Sequence, residues 1–117
     1  MEKSKIKDKV IVKGVPYTPQ KLRLIADLVR GKESKNAISM LKVLNKKGSV
    51  YVRKAIESCI ANINYKNGYI PEKLFITEIM VDEESNRYSK RGRFVSRARH
   101  TILVKRKSKL SLGLSEK

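Results

Sequence analysis

A chain of 117 residues has room for one domain, and an apolar fraction of 40% is enough for a modest core. A net charge of +17 destabilises a compact state by self-repulsion unless a polyanion neutralises it, which favours nucleic acid as the partner. The single cysteine excludes an internal disulfide framework, no apolar run approaches the ~20 residues of a membrane span, and no signal peptide is visible.

The N-terminal part of the chain predicts a strand followed by a helix. Residues Lys5–Lys13 alternate apolar and charged side chains, as a half-buried strand does. Thr18 and Pro19 are typical of the N-cap and first helical position, because proline has no N–H to leave unpaired there. Gly31 is placed to end this first helix.

Two further helices are predicted, with Ser34 and Ser49 as candidate N-caps and Asn67-Gly68 as the end of the third helix. In all three helices apolar residues recur at helical spacing, which predicts one buried face on each. These residues are Leu22, Ile25, Ala26 and Val29 in the first helix, Ala37, Ile38, Leu41 and Leu44 in the second, and Val52, Ile56, Cys59, Ile60 and Ile63 in the third.

The C-terminal part of the chain predicts two strands separated by a long basic segment. Leu74–Val81 is rich in β-branched residues, and Thr101–Val104 is its expected antiparallel partner. The intervening residues Asp82–His100 are too many for a tight turn, so we expect an extended ribbon that leaves the body. Lys105–Lys117 is interpreted as a basic tail that is ordered only if it docks.

Positive charge is concentrated between Ser85 and Ser115, where ten Lys or Arg residues occur without one Asp or Glu. Arginine binds phosphate through two parallel hydrogen bonds. An arm of this composition therefore indicates direct contacts to a sugar-phosphate chain rather than long-range attraction alone. The alternatives are a solvated charge run and an anionic membrane surface. The candidate contacts in the arm are Arg87, Lys90, Arg91, Arg93, Arg97 and Arg99. A second phosphate-binding patch is predicted on the helices, at Lys21, Arg23, Arg30, Lys32, Lys35 and Lys42.

Signals for catalysis are weak. His100 has no acidic residue within fourteen positions to orient it, and Cys59 lies on an apolar helical stripe where a buried thiol is ordinary. The acidic run Asp82–Glu84 would suit Mg²⁺ in a nuclease, but adjacent strand residues point to opposite faces and do not converge. We therefore expect no enzymatic activity, no metal site and no cofactor.

Several motifs in fixed order resemble the family of large ribosomal subunit protein twenty-two. The first is TPQKLRLIADLVRGK at Thr18–Lys32, which is similar to the signature of that family's first helix. Further matches are KAIESCIAN at Lys54–Asn62 and LFITEIMVDE at Leu74–Glu83. The resemblance covers roughly Lys13 to Val104, and the combination is highly specific.

The resemblance implies an α+β fold in which three helices pack on a small three-stranded antiparallel sheet with a long protruding β-hairpin. We expect one RNA-binding domain over residues 1–117, with a body at 5–84 and 100–106, an arm at 85–99 and a tail at 107–117. The implied partners are large-subunit ribosomal RNA, neighbouring ribosomal proteins and the nascent polypeptide near the hairpin tip, in a cytoplasmic or organellar ribosome. The implied role is structural: binding rRNA, aiding its assembly and lining the peptide exit tunnel. The alternative is an architectural DNA-binding protein with a two-stranded basic arm.

Overall fold

The computed structural model describes residues 6–85 and 90–116. Within these ranges, a strand and three helices are followed by four strands, so the α+β class is confirmed. The elements are β1 (Lys7–Val15), α1 (Pro19–Val29), α2 (Ser34–Val43), α3 (Lys47–Asn67), β2 (Leu74–Glu83), β3 (Lys90–Val95), β4 (Arg99–Val104) and β5 (Ser108–Glu116).

The body is built on a three-stranded antiparallel sheet in the order β1-β5-β2. Its central strand, β5, was interpreted from the sequence as a basic tail at residues 107–117, and that interpretation is wrong over Ser108–Glu116. The physical reason is an alternation of leucine with small residues. Leu110, Leu112 and Leu114 face the core and are at most 1% exposed. Between them, Ser111 and Gly113 leave room for long side chains from both neighbouring strands.

The core lies between this sheet and the three helices. Most residues of the predicted apolar stripes are buried there, including Leu22, Ala37 and Ile56, each 0% exposed. The remaining three, Ile38, Leu44 and Ile60, are partly buried and pack against the core. Burial raises the pKa of the Cys59 thiol to about 11, with the nearby Asp8 carboxylate as the second cause. The thiol is therefore protonated at neutral pH, as expected of a structural cysteine.

Helix α1 runs beside the outer edge of β2 in the opposite direction. Near the start of the helix, Arg23 Nε donates to the carbonyl oxygen of Val81 at 3.2 Å. At the other end, Gly31, in the left-handed region at φ 77°, donates its N–H to the carbonyl oxygen of Ile76 at 3.0 Å. The chain leaving α1 thus covers the edge of the sheet, which would otherwise present unpaired backbone groups.

The starts of α2 and α3 differ from the sequence prediction. Ser34 is the first residue of α2 rather than its N-cap, and α3 begins at Lys47, two residues before Ser49. The Ser49 hydroxyl donates to the carbonyl oxygen of Lys46 at 2.6 Å. It thereby ties the connector to the first turn of the helix instead of accepting a helical N–H. Gly68 ends α3 in the left-handed region, as predicted.

Strands β3 and β4 pair only with each other and form a separate two-stranded antiparallel sheet among the described residues. The predicted strand at Thr101–Val104 exists, but its expected pairing with Leu74–Val81 is wrong, because β5 occupies that position. The molecule measures 71 Å along its longest axis and 27 and 18 Å along the others, consistent with a protruding hairpin. Residues 100–104 therefore belong to the arm and not to the body.

Candidate nucleic-acid interface

The register of the hairpin arm, β3 and β4 with their connecting turn, sorts its side chains onto two faces. Arg93 lies opposite Thr101, and Phe94 lies opposite His100. Because successive strand residues point to opposite sides, these two pairs face in opposite directions. One side, the arginine face, carries Arg91, Arg93, Val95, Arg99, Thr101 and Leu103. The other, the aromatic face, carries Lys90, Gly92, Phe94, His100, Ile102 and Val104.

The arginine face presents a row of cations to solvent. Arg91, Arg93 and Arg99 are all exposed. Each of the five ion pairs found among residues 6–85 and 90–116 involves other cations, so none neutralises this row. Cations fixed on a ribbon and left without carboxylate partners are suited to contact a line of phosphates.

The aromatic face is organised around His100. Its ring contacts Phe94 edge to face, with the ring centroids 5.2 Å apart and an interplanar angle of 79°. It also lies over Gly92, where an added Cβ would come within 2.9 Å of the imidazole Cε1. Phe94 remains 78% exposed, and Ile102 is 62% exposed. His100 therefore takes part in a preformed apolar surface, and none of the ion pairs found among residues 6–85 and 90–116 involves it.

The turn Ser96-Arg97-Ala98 closes the hairpin. Arg97 and Ala98 adopt φ values of 63° and 55°, in the left-handed region that residues with a Cβ enter rarely. Arg97 is the middle residue of the turn that joins β3 to β4. Phe94 and Val95 lie behind it on β3.

The root of the arm is tied to the body by the acidic run considered as a metal site. Glu83 pairs with Arg106 at 2.9 Å. The side chain of Glu84 accepts a hydrogen bond from the backbone N–H of Gly14, and its own N–H donates to the carbonyl oxygen of Lys107 at 3.1 Å. These contacts direct the Glu83 and Glu84 carboxylates to different partners. Among the described residues, no three His, Cys, Asp or Glu side chains are grouped to hold a metal ion.

The predicted basic residues of the helices form a line beside β2 rather than one patch. Lys21 and Arg23 share a surface cleft of about 600 Å³ with Arg106, next to the root of the arm. At the far end of α1, Arg30 donates to the carbonyl oxygen of Ile79 at 2.8 Å and pairs with Asp27 at 2.6 Å. Lys32 lies beyond Arg30, at the end distant from the arm.

Two of these residues, Arg23 and Arg30, have a structural role in addition to their predicted role in binding. Arg23 and Arg30 hold α1 to β2 through backbone carbonyls while remaining exposed, so part of each guanidinium is committed to the fold. Arg106, by contrast, is not among the contacts that the sequence predicts. Its signal was the run Lys105-Arg-Lys107 between two strands. Arg87 lies outside the described residues.

Comparison with known proteins agrees with the expected family. The family described as ribosomal protein L22p/L17e matches residues 10–115. A relative from Mycoplasmopsis agalactiae, described as large ribosomal subunit protein uL22, is 40% identical over 111 residues, which is 93% of this chain and 94% of the relative. The match includes β5, which the resemblance in the sequence analysis had left out. No helix among the described residues is long and apolar enough to cross a membrane.

Proposed function

Since this chain belongs to the ribosomal protein L22p/L17e family and is a structural protein of the large ribosomal subunit, we propose that it binds large-subunit rRNA through two linked surfaces. The arm inserts between RNA segments, and the line of cations along α1 holds the body on the RNA. Binding at both surfaces aids assembly by bringing separate RNA segments together.

The observation that carries this proposal is a row of unneutralised arginines on a hairpin whose root is fixed. A disordered basic tail would lose much conformational entropy on binding, whereas a paired hairpin has lost most of it already. The Glu83–Arg106 ion pair and the backbone bond from Glu84 to Lys107 hold together the two chain segments that lead into and out of the arm. The arm therefore leaves the body from a defined place beside the sheet.

The cleft at the root of the arm supports continuity between the two surfaces. Lys21, Arg23 and Arg106 line it together. An RNA backbone that follows the arm toward the body reaches these cations next, and then Arg30 at the far end of α1. That helix has 11 residues, which corresponds to about 16 Å at 1.5 Å per residue.

Competition between RNA and DNA tests this function. Structured fragments of large-subunit rRNA and a DNA duplex of equal length are titrated against the full chain at one salt concentration. We expect the rRNA fragments to bind at least tenfold more tightly. Equal affinity would favour an architectural DNA-binding role instead. The tip argues against that role, because DNA-kinking arms use an apolar wedge and this tip is Ser96-Arg97-Ala98.

Membership of the family and the position of Arg97 in the hairpin turn support a place for the tip beside the exit tunnel. A photo-reactive amino acid at position 97, in ribosomes halted during translation, is expected to crosslink to the nascent polypeptide. The matched control places the same group at Lys109 in the sheet, where no crosslink to the peptide is expected. Crosslinks from position 97 to rRNA alone would contradict the tunnel location while leaving rRNA binding intact.

A further inference from the structure

The aromatic face of the arm is not accounted for by phosphate contacts. It combines the exposed ring of Phe94, the imidazole of His100 and the side chain of Ile102. Lys90 is its one cation and lies at the root end of β3. An exposed aromatic surface on a strongly basic ribbon suits a ligand with a flat apolar group that is attached to a polyanionic chain.

We infer that the aromatic face is a stacking platform for an unpaired RNA base, with Phe94 as the stacking residue and His100 as its positioning residue. The inference rests on the proposed rRNA function and assigns a ligand to the half of the arm that the arginines leave unused. Binding of single-stranded nucleic acid commonly combines a cationic track with exposed aromatic rings, because every base offers a π-face.

The geometry around His100 holds the platform in place before binding. The edge-to-face contact at 5.2 Å keeps the Phe94 and His100 rings from stacking on each other. Gly92 has no side chain, and the imidazole occupies the space above its backbone, within 3.0 Å of where a Cβ would stand. The imidazole is thus fixed between the backbone of β3 and the Phe94 ring, while Phe94 stays 78% exposed.

Charge complementarity selects a nucleotide over an apolar peptide segment. Arg91, Arg93 and Arg99 line the opposite face of a ribbon only two strands wide. Neighbouring strands lie about 4.8 Å apart, so a strand of RNA that crosses the edge of the arm can place phosphates on one face and a base on the other. A peptide without negative charge would gain nothing from the arginines.

The test compares two RNAs that differ in unpaired bases. One is an rRNA hairpin with an open loop, in which a loop base is replaced by the fluorescent analogue 2-aminopurine. The other has the same stem and a fully paired continuation. We expect Phe94→Ala to weaken binding of the open-loop RNA by about five- to 150-fold, and to leave binding of the paired RNA unchanged. Quenching of the analogue by the wild-type chain should be lost in the variant.

Matched variants separate stacking from bulk apolar contact. Phe94→Trp retains a π-face and is expected to bind the open loop as the wild type does, whereas Phe94→Leu retains apolar volume only and should resemble Phe94→Ala. Gly92→Ala displaces the His100 ring and should also reduce binding of the open loop selectively. The salt dependence should not change in any of these variants, because no phosphate contact is removed.

Several outcomes would overturn the inference. Equal binding of the open loop by the Leu and Trp variants would show that the ring face is not used. Equal losses for open and paired RNA would assign Phe94 a structural role in the arm. Unchanged RNA binding by Phe94→Ala, together with a crosslink from a photo-reactive amino acid at position 94 to a nascent polypeptide, would assign the face to a peptide. Failure of the proposed function is different: the wild-type chain would then show no preference for rRNA over DNA.

Discussion

Strand β5 and the hairpin arm lie almost entirely within the same acid-free stretch, Ser85–Ser115, yet they differ sharply in burial. β5 is almost completely buried at the centre of the sheet, whereas every residue of β3 and all but the last residue of β4 are exposed. Both segments contain regularly spaced apolar residues, but the arm is strongly basic whereas β5 carries only Lys109 and Glu116 as charged residues. The difference lies in the residues between: serine and glycine in β5 permit burial on both faces, while arginine in the arm keeps it in solvent.

The two segments therefore have different roles in the protein. β5 connects β1 and β2 and thereby holds the whole sheet together, so it carries stability. The arm contributes nothing to that sheet and carries ligand contacts. Changes in β5 should therefore alter folding first, and changes in the arm should alter binding without altering folding.

Removal of β5 and removal of the arm should show the largest difference in stability between two variants. Deletion of residues 108–117 exposes the core, because three leucines each contribute about 1.5–3 kcal/mol and the total is comparable to the stability of a whole domain. We expect this variant to be unfolded by circular dichroism. Replacement of residues 90–104 by a short Gly-Ser linker should leave cooperative thermal unfolding in place. A folded variant lacking 108–117 would restore the interpretation of this segment as a tail.

A single leucine in each region gives the next comparison. Leu112→Ala removes a side chain that is 0% exposed and should lower the free energy of unfolding by about 2–5 kcal/mol in chemical denaturation. Leu103→Ala in the arm makes the same chemical change at a residue that is 43% exposed, and should cost less than about 0.5 kcal/mol. Similar losses at both positions would mean that the arm packs against the body in solution.

Loss of arginines should affect binding and spare stability. The double change Arg93→Ala and Arg97→Ala is expected to weaken binding of rRNA and to reduce the slope of log affinity against log salt by roughly 1.4–1.8, for two phosphate contacts. The thermal unfolding midpoint of the free chain should stay nearly the same. The matched control is Lys54→Ala together with Lys73→Ala, which removes equal charge from two exposed positions of the body. An equal loss of slope in that control would indicate attraction by net charge alone.

The helices and the first strand could be predicted because their signals are local. The stripe from Leu22 to Val29 and the stop at Gly31 lie within one segment of chain. Strand pairing depends on distant segments, and sequential strands usually pair with each other. This chain is an exception, since β2 pairs with β5 although residues 84–107, which include the arm, separate the two strands in the sequence. The alternation Leu-Ser-Leu-Gly-Leu-Ser at 110–115 was the available signal for β5.

The candidate site was predictable in composition and not in geometry. The arginines of the arm are visible in the sequence, but the placement of Arg91, Arg93 and Arg99 together on one face depends on the hairpin register. That register is set by a turn with Arg97 and Ala98 in the left-handed region, where glycine or asparagine would have been the usual sign. The role of His100 as a neighbour of Phe94 and Gly92 depends on the same register, and so no pattern of spacing revealed it.

The smallest effect is expected for an ion pair between the two edge strands, β1 and β2, which spans the central strand β5. Lys9 on β1 and Glu78 on β2 are both paired with Gly113, and their charged groups lie 3.3 Å apart across it. Both side chains are about half exposed, at 47% and 43%, so Glu78→Gln should cost less than about 1 kcal/mol in chemical denaturation. Loss of any carboxylate from a chain of net charge +17 also increases self-repulsion. Glu72→Gln on the surface measures that general cost, and the difference between the two variants isolates the ion pair. Equal stability of the two variants would show that the Lys9–Glu78 ion pair contributes nothing measurable to folding.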